Sequence, residues 1–242
     1  MPTLNPANAS FCRACRLAPP QFVRAVAFGL YQDRMKAAIH AFKYDRLRPA
    51  ARGLGRMLAQ AIAQLAGEAP TEMLVVPVPL HRSKHAERGF NQARALAESA
   101  LGFLRKSHPQ WRLTLAASTL LRLRPTASQA GLSSRQRRLN VRGAFTVSDP
   151  AAVDSKAILL IDDILTTGAT ARSAARALLR AGAASVWVAT LARARRVNDS
   201  YGGKQDRDAN LQEDFSGDLP DADEMQASMV SSNHSSQDQP SF

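Results

Sequence analysis

The chain has 242 residues, 45% hydrophobic and 21% charged, with a formal net charge of +12. This is the profile of a globular protein with a core of its own, and it excludes fibrous and low-complexity classes. The longest apolar runs, 157–161 and 186–191, fall far short of the roughly 20 residues of a membrane-spanning helix, and residues 1–18 lack the pattern of a secretory signal, so the expected compartment is the cytoplasm.

In chain order, the first feature is Cys12-Arg13-Ala14-Cys15, the spacing of half a zinc ribbon, in which two thiolates on a tight turn share a tetrahedral metal with a second pair. The sequence has no second pair, so one copy cannot complete a four-cysteine site. Zinc at Cys12 and Cys15 is therefore not expected, and reduced thiols are. Val23 to Tyr31 reads as a weak strand. Arg48 to Ala66 carries Leu54, Met57, Leu58, Ala61, Ile62 and Leu65 at the spacing of one helix face. Met73 to Val78 is a continuous apolar run, the signature of a strand buried on both faces. Gln92 to Leu104 repeats the helical pattern, and Leu113 to Leu121 is a second weak strand. The runs Ala157 to Ile161 and Ser185 to Leu191 are again strands, separated by a helix over Thr170 to Ala181 with Gly182 placed for a left-handed C-terminal cap. Strands alternating with helices predict an α/β fold with a mainly parallel sheet, helices on both faces, and ligands beyond the carboxyl ends of the strands.

The charge is unevenly divided. Val197 to Phe242 holds ten acidic and two basic residues, a net of −8, leaving residues 1–196 with 30 basic and 10 acidic residues, a net of +20. The tail has no period of 2 or 3.6 and too little apolar surface to offset ordering entropy, so it is expected to be disordered and acidic. The basic body is suited to phosphates, nucleotides or nucleic acid, although a solvated surface would look the same.

Ile158 to Thr170, ILLIDDILTTGAT, is the most informative segment. Its apolar strand is expected to end at Asp162 and Asp163, adjacent carboxylates that are costly in such a place unless they meet hydrogen-bond donors or a cation. Ribose hydroxyls are suitable donors. Thr166, Thr167, Gly168, Ala169 and Thr170 then open a helix, where backbone N–H groups, the helix dipole and threonine hydroxyls favour a phosphate. Taken singly, a threonine that merely caps a helix would explain each part; the ordered combination describes a sugar-phosphate site. No nucleotide-hydrolase P-loop and no dinucleotide glycine fingerprint occurs.

This segment closely resembles the phosphoribosyl-pyrophosphate (PRPP) motif of type I phosphoribosyltransferases. Together with YQDRMKAAIHAFKYDR (Tyr31 to Arg46), VPVPLHRSKHAERGFNQA (Val76 to Ala93) and RPTASQAGLSSRQRRLNVRGAF (Arg124 to Phe145), in that order, it is similar to the ComF family, the competence-associated phosphoribosyltransferase-like proteins. The resemblance covers roughly residues 11–195 and implies three segments: 1–20, the remnant of a zinc-ribbon-like module; 21–196, the phosphoribosyltransferase-like domain; and 197–242, the tail. It further implies that Asp162 and Asp163 hold the ribose and Mg2+, that Thr166 to Thr170 hold the 5′-phosphate, and that the loop after Val78 holds pyrophosphate through His81, Arg82, Lys84 and Arg88. Arg122 to Arg142 would be a lid that closes over the reaction. Read without the family, HRSKHAER is simply a basic loop. The pattern is broken at Thr166, where purine-salvage members often carry a carboxylate that acts on the base. No general base is readable at that position: Glu87 or His81 could substitute, though their spacing warrants neither, and the acceptor is not readable.

Three functions follow as expectations: Mg2+-dependent phosphoribosyl transfer with release of pyrophosphate, in competence, DNA uptake or nucleotide metabolism; a single-stranded-DNA-binding accessory role without catalysis, against which the scarcity of aromatic residues, 6%, counts; and a PRPP-sensing regulator. A homo-oligomer or a partner from the competence machinery is compatible with all three.

Overall fold

Three apolar runs far apart in the sequence become adjacent strands. In the computed structural model, which describes residues 19–44, 50–124 and 134–194, β2 (Glu72–Pro77), β6 (Ala157–Leu165) and β7 (Ser185–Arg193) lie side by side at the centre of a five-stranded sheet, with β1 (Ala25–Leu30) and β3 (Arg112–Leu115) at its edges. The order is β1-β7-β6-β2-β3, and every pairing is parallel. This is the predicted fold class. The described residues belong to the first of two units, 1–196 and 197–242; Cys12, Cys15, most of the 1–20 segment and the acidic tail lie outside the described residues.

Buried side chains alternate along β6. Leu159 and Ile161 join one core with Val75, Leu191 and the helices α1 (Asp33–Tyr44), α2 (Ala50–Ala63) and α4 (Gln92–Ser107). Ile158 and Leu160 join a second core with Val76, Val186, Val188 and the helix α6 (Ala169–Arg180). Because strand side chains point alternately to opposite faces, a run without polar breaks is what a strand covered on both faces needs. Leu58, Leu96, Leu160 and Val186 are fully buried.

Some expectations needed correction. β6 does not stop at the acid pair: its ladder with β7 runs on through Asp162 opposite Thr190 to Leu165 opposite Arg193, since neighbouring β7 can supply backbone partners to Leu165. The expected strand Leu113 to Leu121 is two strands in different sheets. β3 closes one edge of the main sheet, whereas β4 (Leu120–Arg122) pairs antiparallel with β5 (Phe145–Val147) in a separate hairpin. The basic loop HRSKHAER folds as a short helix, α3 (Arg82–Arg88), between a His81 N-cap and a left-handed Gly89. Gly182 takes φ 102° just past α6, as its position predicts. Two further elements, α1 and α5 (Ser134–Asn140), have no counterpart among the predicted elements.

Candidate functional site

The strand order makes the site. From β2 the chain proceeds through α3 and α4 to β3 on one side, and from β6 through α6 to β7 on the other. The sheet therefore changes direction between β2 and β6, and the crevice beyond the carboxyl ends of such a pair is where open α/β sheets bind ligands. Both loops singled out in the sequence leave from there. Pro77 pairs with Ile161, and the Val78 amide donates to the Ile161 carbonyl at 2.8 Å, so the segment after Val78 begins beside Asp162.

Alternation along β6 sends the two carboxylates to opposite faces. Asp163, on the face of Leu159 and Ile161, forms an ion pair with Lys43 at 2.5 Å, with side chains only 15% and 18% exposed. Asp162 takes the other face, and its Oδ1 accepts a hydrogen bond from the Asp163 amide at 2.9 Å. Burial, reinforced by the Asp163 carboxylate, raises the Asp162 pKa from 3.8 to about 7; Lys43 and Arg122 oppose this. Burial in turn lowers the pKa of the Arg122 guanidinium, with Asp162 acting against the shift and Arg88 adding to it. Lys43, Arg88, Arg122 and the acid pair thus form one electrostatic cluster, drawn from α1, α3, β4 and β6.

Behind the acids, Gly168 adopts φ 73° as the N-cap of α6, a backbone conformation that a residue with a Cβ takes only at a cost. The Ala169 amide donates to the Thr167 hydroxyl at 3.4 Å. The half-buried segment Thr166 to Gly168 leads directly into the start of a 12-residue helix, so the chain directions suit an anion at this end.

The pyrophosphate candidates divide. Arg88 belongs to the cluster and donates to Gln92 Oε1 at 3.3 Å. His81 caps α3, its Nδ1 accepting from the Ser83 amide at 3.3 Å. Lys84 is paired with Glu87 at 2.8 Å on the outer side of that helix, and Arg82 is exposed. Glu87 is a poor general base, because its hydrogen bond to Lys84 holds its carboxyl below the usual range. Of the expected lid, residues 125–133 lie outside the described residues.

Lys43 was not singled out by sequence reasoning, and Arg122 entered it only as the first arginine of the expected lid. A signal for Lys43 exists: it stands four positions after Ile39 and next to Phe42, both fully buried, so it is a lysine on the apolar face of its helix. Arg122 was expected in the lid; the structure places it instead in the β4–β5 hairpin, from which it interacts with Asp162.

A second feature lies along α6. A groove of about 750 Å³ runs between this helix and the α5–β5 segment, beginning at Ala169. Arg172, Arg176 and Arg180 line it at one-turn intervals, and Arg142 lies across from them; no carboxylate lines it.

Comparison with known proteins agrees with this architecture. The signature of the phosphoribosyl transferase domain matches residues 91–215. The chain is 33% identical over 184 residues to the "DNA utilization protein YhgH" of Escherichia coli O157:H7, covering 75% of this chain and 77% of that protein. It is 28% identical over 189 residues to "Competence protein F" of Haemophilus influenzae, covering 77% and 80%. With "Competence protein ComFC" of Bacillus subtilis it shares 34% identity over 165 residues, covering 67% and 61%.

Proposed function

Because the chain belongs to the ComF family of phosphoribosyl transferase domain proteins, we propose that it binds PRPP with Mg2+ and transfers the phosphoribosyl group to an acceptor, releasing pyrophosphate. The observation that supports this reading most is the placement of an acid pair and a threonine-rich helix start on one strand end, at the change of direction between β2 and β6.

Among the described residues no group of three or more His, Cys, Asp or Glu could cage a metal. A magnesium ion that arrives with its own phosphates needs few protein ligands, and a carboxylate of the Asp162–Asp163 pair, whose members face opposite sides of β6, would supply one. Bound there, the ion would neutralise part of the pyrophosphate charge. The protein's own part is positioning and electrostatics. Asp162 and Asp163 accept hydrogen bonds from the ribose hydroxyls, and the amides opening α6 hold the 5′-phosphate. Arg88 and Arg122 stabilise the charge that grows on pyrophosphate as its bond to the ribose carbon breaks and the acceptor's bond forms.

Thermal unfolding with PRPP and Mg2+ tests binding. At a hundred times the dissociation constant, ligand adds about 2.7 kcal/mol, a rise in Tm of roughly 5–10 °C for a chain of this size. No rise, or an equal rise in Asp162→Ala/Asp163→Ala, overturns the reading. Pyrophosphate release across a panel of bases and amines then separates a transferase from a regulator that only senses PRPP.

A second reading, contact with single-stranded DNA, is favoured by the α6 groove. Its arginines repeat about every 6 Å along the helix, a spacing that can follow an extended phosphate backbone. The names of the Escherichia and Haemophilus relatives concern DNA utilization and competence. Salt-dependent binding of a labelled oligonucleotide supports this reading, and absent or salt-independent binding rejects it.

A further inference from the structure

The Lys43–Asp163 ion pair carries an inference that neither the acid pair nor the phosphate loop requires. Lys43 is not a loosely held surface cation. Ile39 and Phe42 anchor α1 in the core with no exposure, and Phe42 meets the Phe90 ring edge-on at 5.4 Å. The ammonium group is thereby delivered by a fixed helix end to Asp163 Oδ2 at 2.5 Å, with both side chains below one-fifth exposed. An ion pair shielded to this degree constrains the carboxylate's orientation far more than a solvent-exposed pair would. The other acid is fixed separately, through the Asp163 amide.

We propose that Lys43 is a positioning residue for the ribose diol: by holding Asp163 Oδ2 it aims the remaining oxygen at a sugar hydroxyl. The inference rests on the sugar-phosphate reading of this site. Its chemistry is specific to the diol, because the amides that open α6 belong to another segment and, like the Lys43 ammonium, are donors, so the two cannot bond to one another. Lys43 therefore separates ligands that contain ribose from those that contain only phosphate.

The test is calorimetric titration of the full chain and of Lys43→Met and Lys43→Arg with three probes: PRPP with Mg2+, ribose 5-phosphate, and inorganic phosphate. Loss of a group that orients a binding carboxylate costs about ten- to a hundred-fold in affinity. Lys43→Met is expected to lose that much for PRPP and ribose 5-phosphate while binding phosphate as the parent does, and Lys43→Arg is expected to recover most of the loss. Equal PRPP affinity in Lys43→Met, or an equal loss for all three probes, overturns the inference, the latter indicating a merely structural role. If the parent chain binds none of the probes, the sugar-phosphate reading itself fails and the inference falls with it. Unfolding midpoints of both variants, measured alongside, establish that each is folded when titrated.

Discussion

Replacing Asp162 by asparagine is expected to stabilise the ligand-free protein at alkaline pH while weakening its sugar-phosphate binding. In the folded chain the Asp162 carboxyl holds its proton up to about pH 7, against 3.8 for the ordinary group, because burial and the Asp163 carboxylate disfavour its charge. Between these values the native state binds more protons than the unfolded state, so this group's contribution to stability falls as pH rises through the window and levels off above it. A gap of about three pH units at 1.36 kcal/mol each sets a ceiling of roughly 4 kcal/mol. Partial solvent access at the sheet end reduces the expected cost to about 1–3 kcal/mol. Asparagine removes the charge but keeps an oxygen to accept the Asp163 amide hydrogen bond, 2.9 Å in the parent. Urea unfolding of parent and Asp162→Asn between pH 4.5 and 8.5 reads the difference directly: smallest at the acid end, where the window has only begun to open, rising to a plateau above pH 7.5 in favour of the variant. A difference that does not change with pH, or a variant less stable at pH 8, would refute the reasoning. The accompanying loss of PRPP affinity would make this a site where stability is sacrificed to function.

Other outcomes follow from the same geometry. Gly168→Ala forces a Cβ into φ 73°, where its nearest contacts, Arg172 Nε and Leu165 Cδ1, are an ordinary 3.8 and 3.9 Å away; the cost is then the backbone's alone, about 1–2 kcal/mol, and calorimetry should show weaker phosphate binding with little change in fold by circular dichroism. Arg176→Ala/Arg180→Ala should lower oligonucleotide affinity and flatten its dependence on salt, in fluorescence anisotropy, while leaving PRPP binding intact. Leu160→Ala, at a fully buried position on the α6 face of β6, should cost about 2–5 kcal/mol in chemical denaturation.

The elements set by local pattern were legible in the sequence. β2, β6 and β7 are continuous apolar runs because both faces of a central parallel strand are covered, and α2, α4 and α6 carry one apolar stripe each; such patterns survive without knowledge of neighbours. α1 was less visible, since its apolar face ends in a lysine whose reason is a partner more than a hundred residues away, Asp163. α3 was obscured by charge: HRSKHAER reads as a loop until the His81 cap and Gly89 are seen to bracket one short helix. The acid pair and the threonine loop were readable because a strand-to-helix junction keeps its parts contiguous in the chain.

What the sequence determined by itself was therefore the parts: an α/β fold, two acids and a threonine-rich helix start, and a basic body with an acidic tail. Tertiary structure decided how they meet. Strand order placed the Val78 loop beside the acid pair, since β2 and β6 are neighbours only in the sheet. Side-chain alternation on β6 then gave the two adjacent acids different fates, Asp163 to Lys43 and Asp162 to a half-buried position near Arg122. Adjacent residues on a strand face opposite ways, and what each one meets is set by elements from elsewhere in the chain.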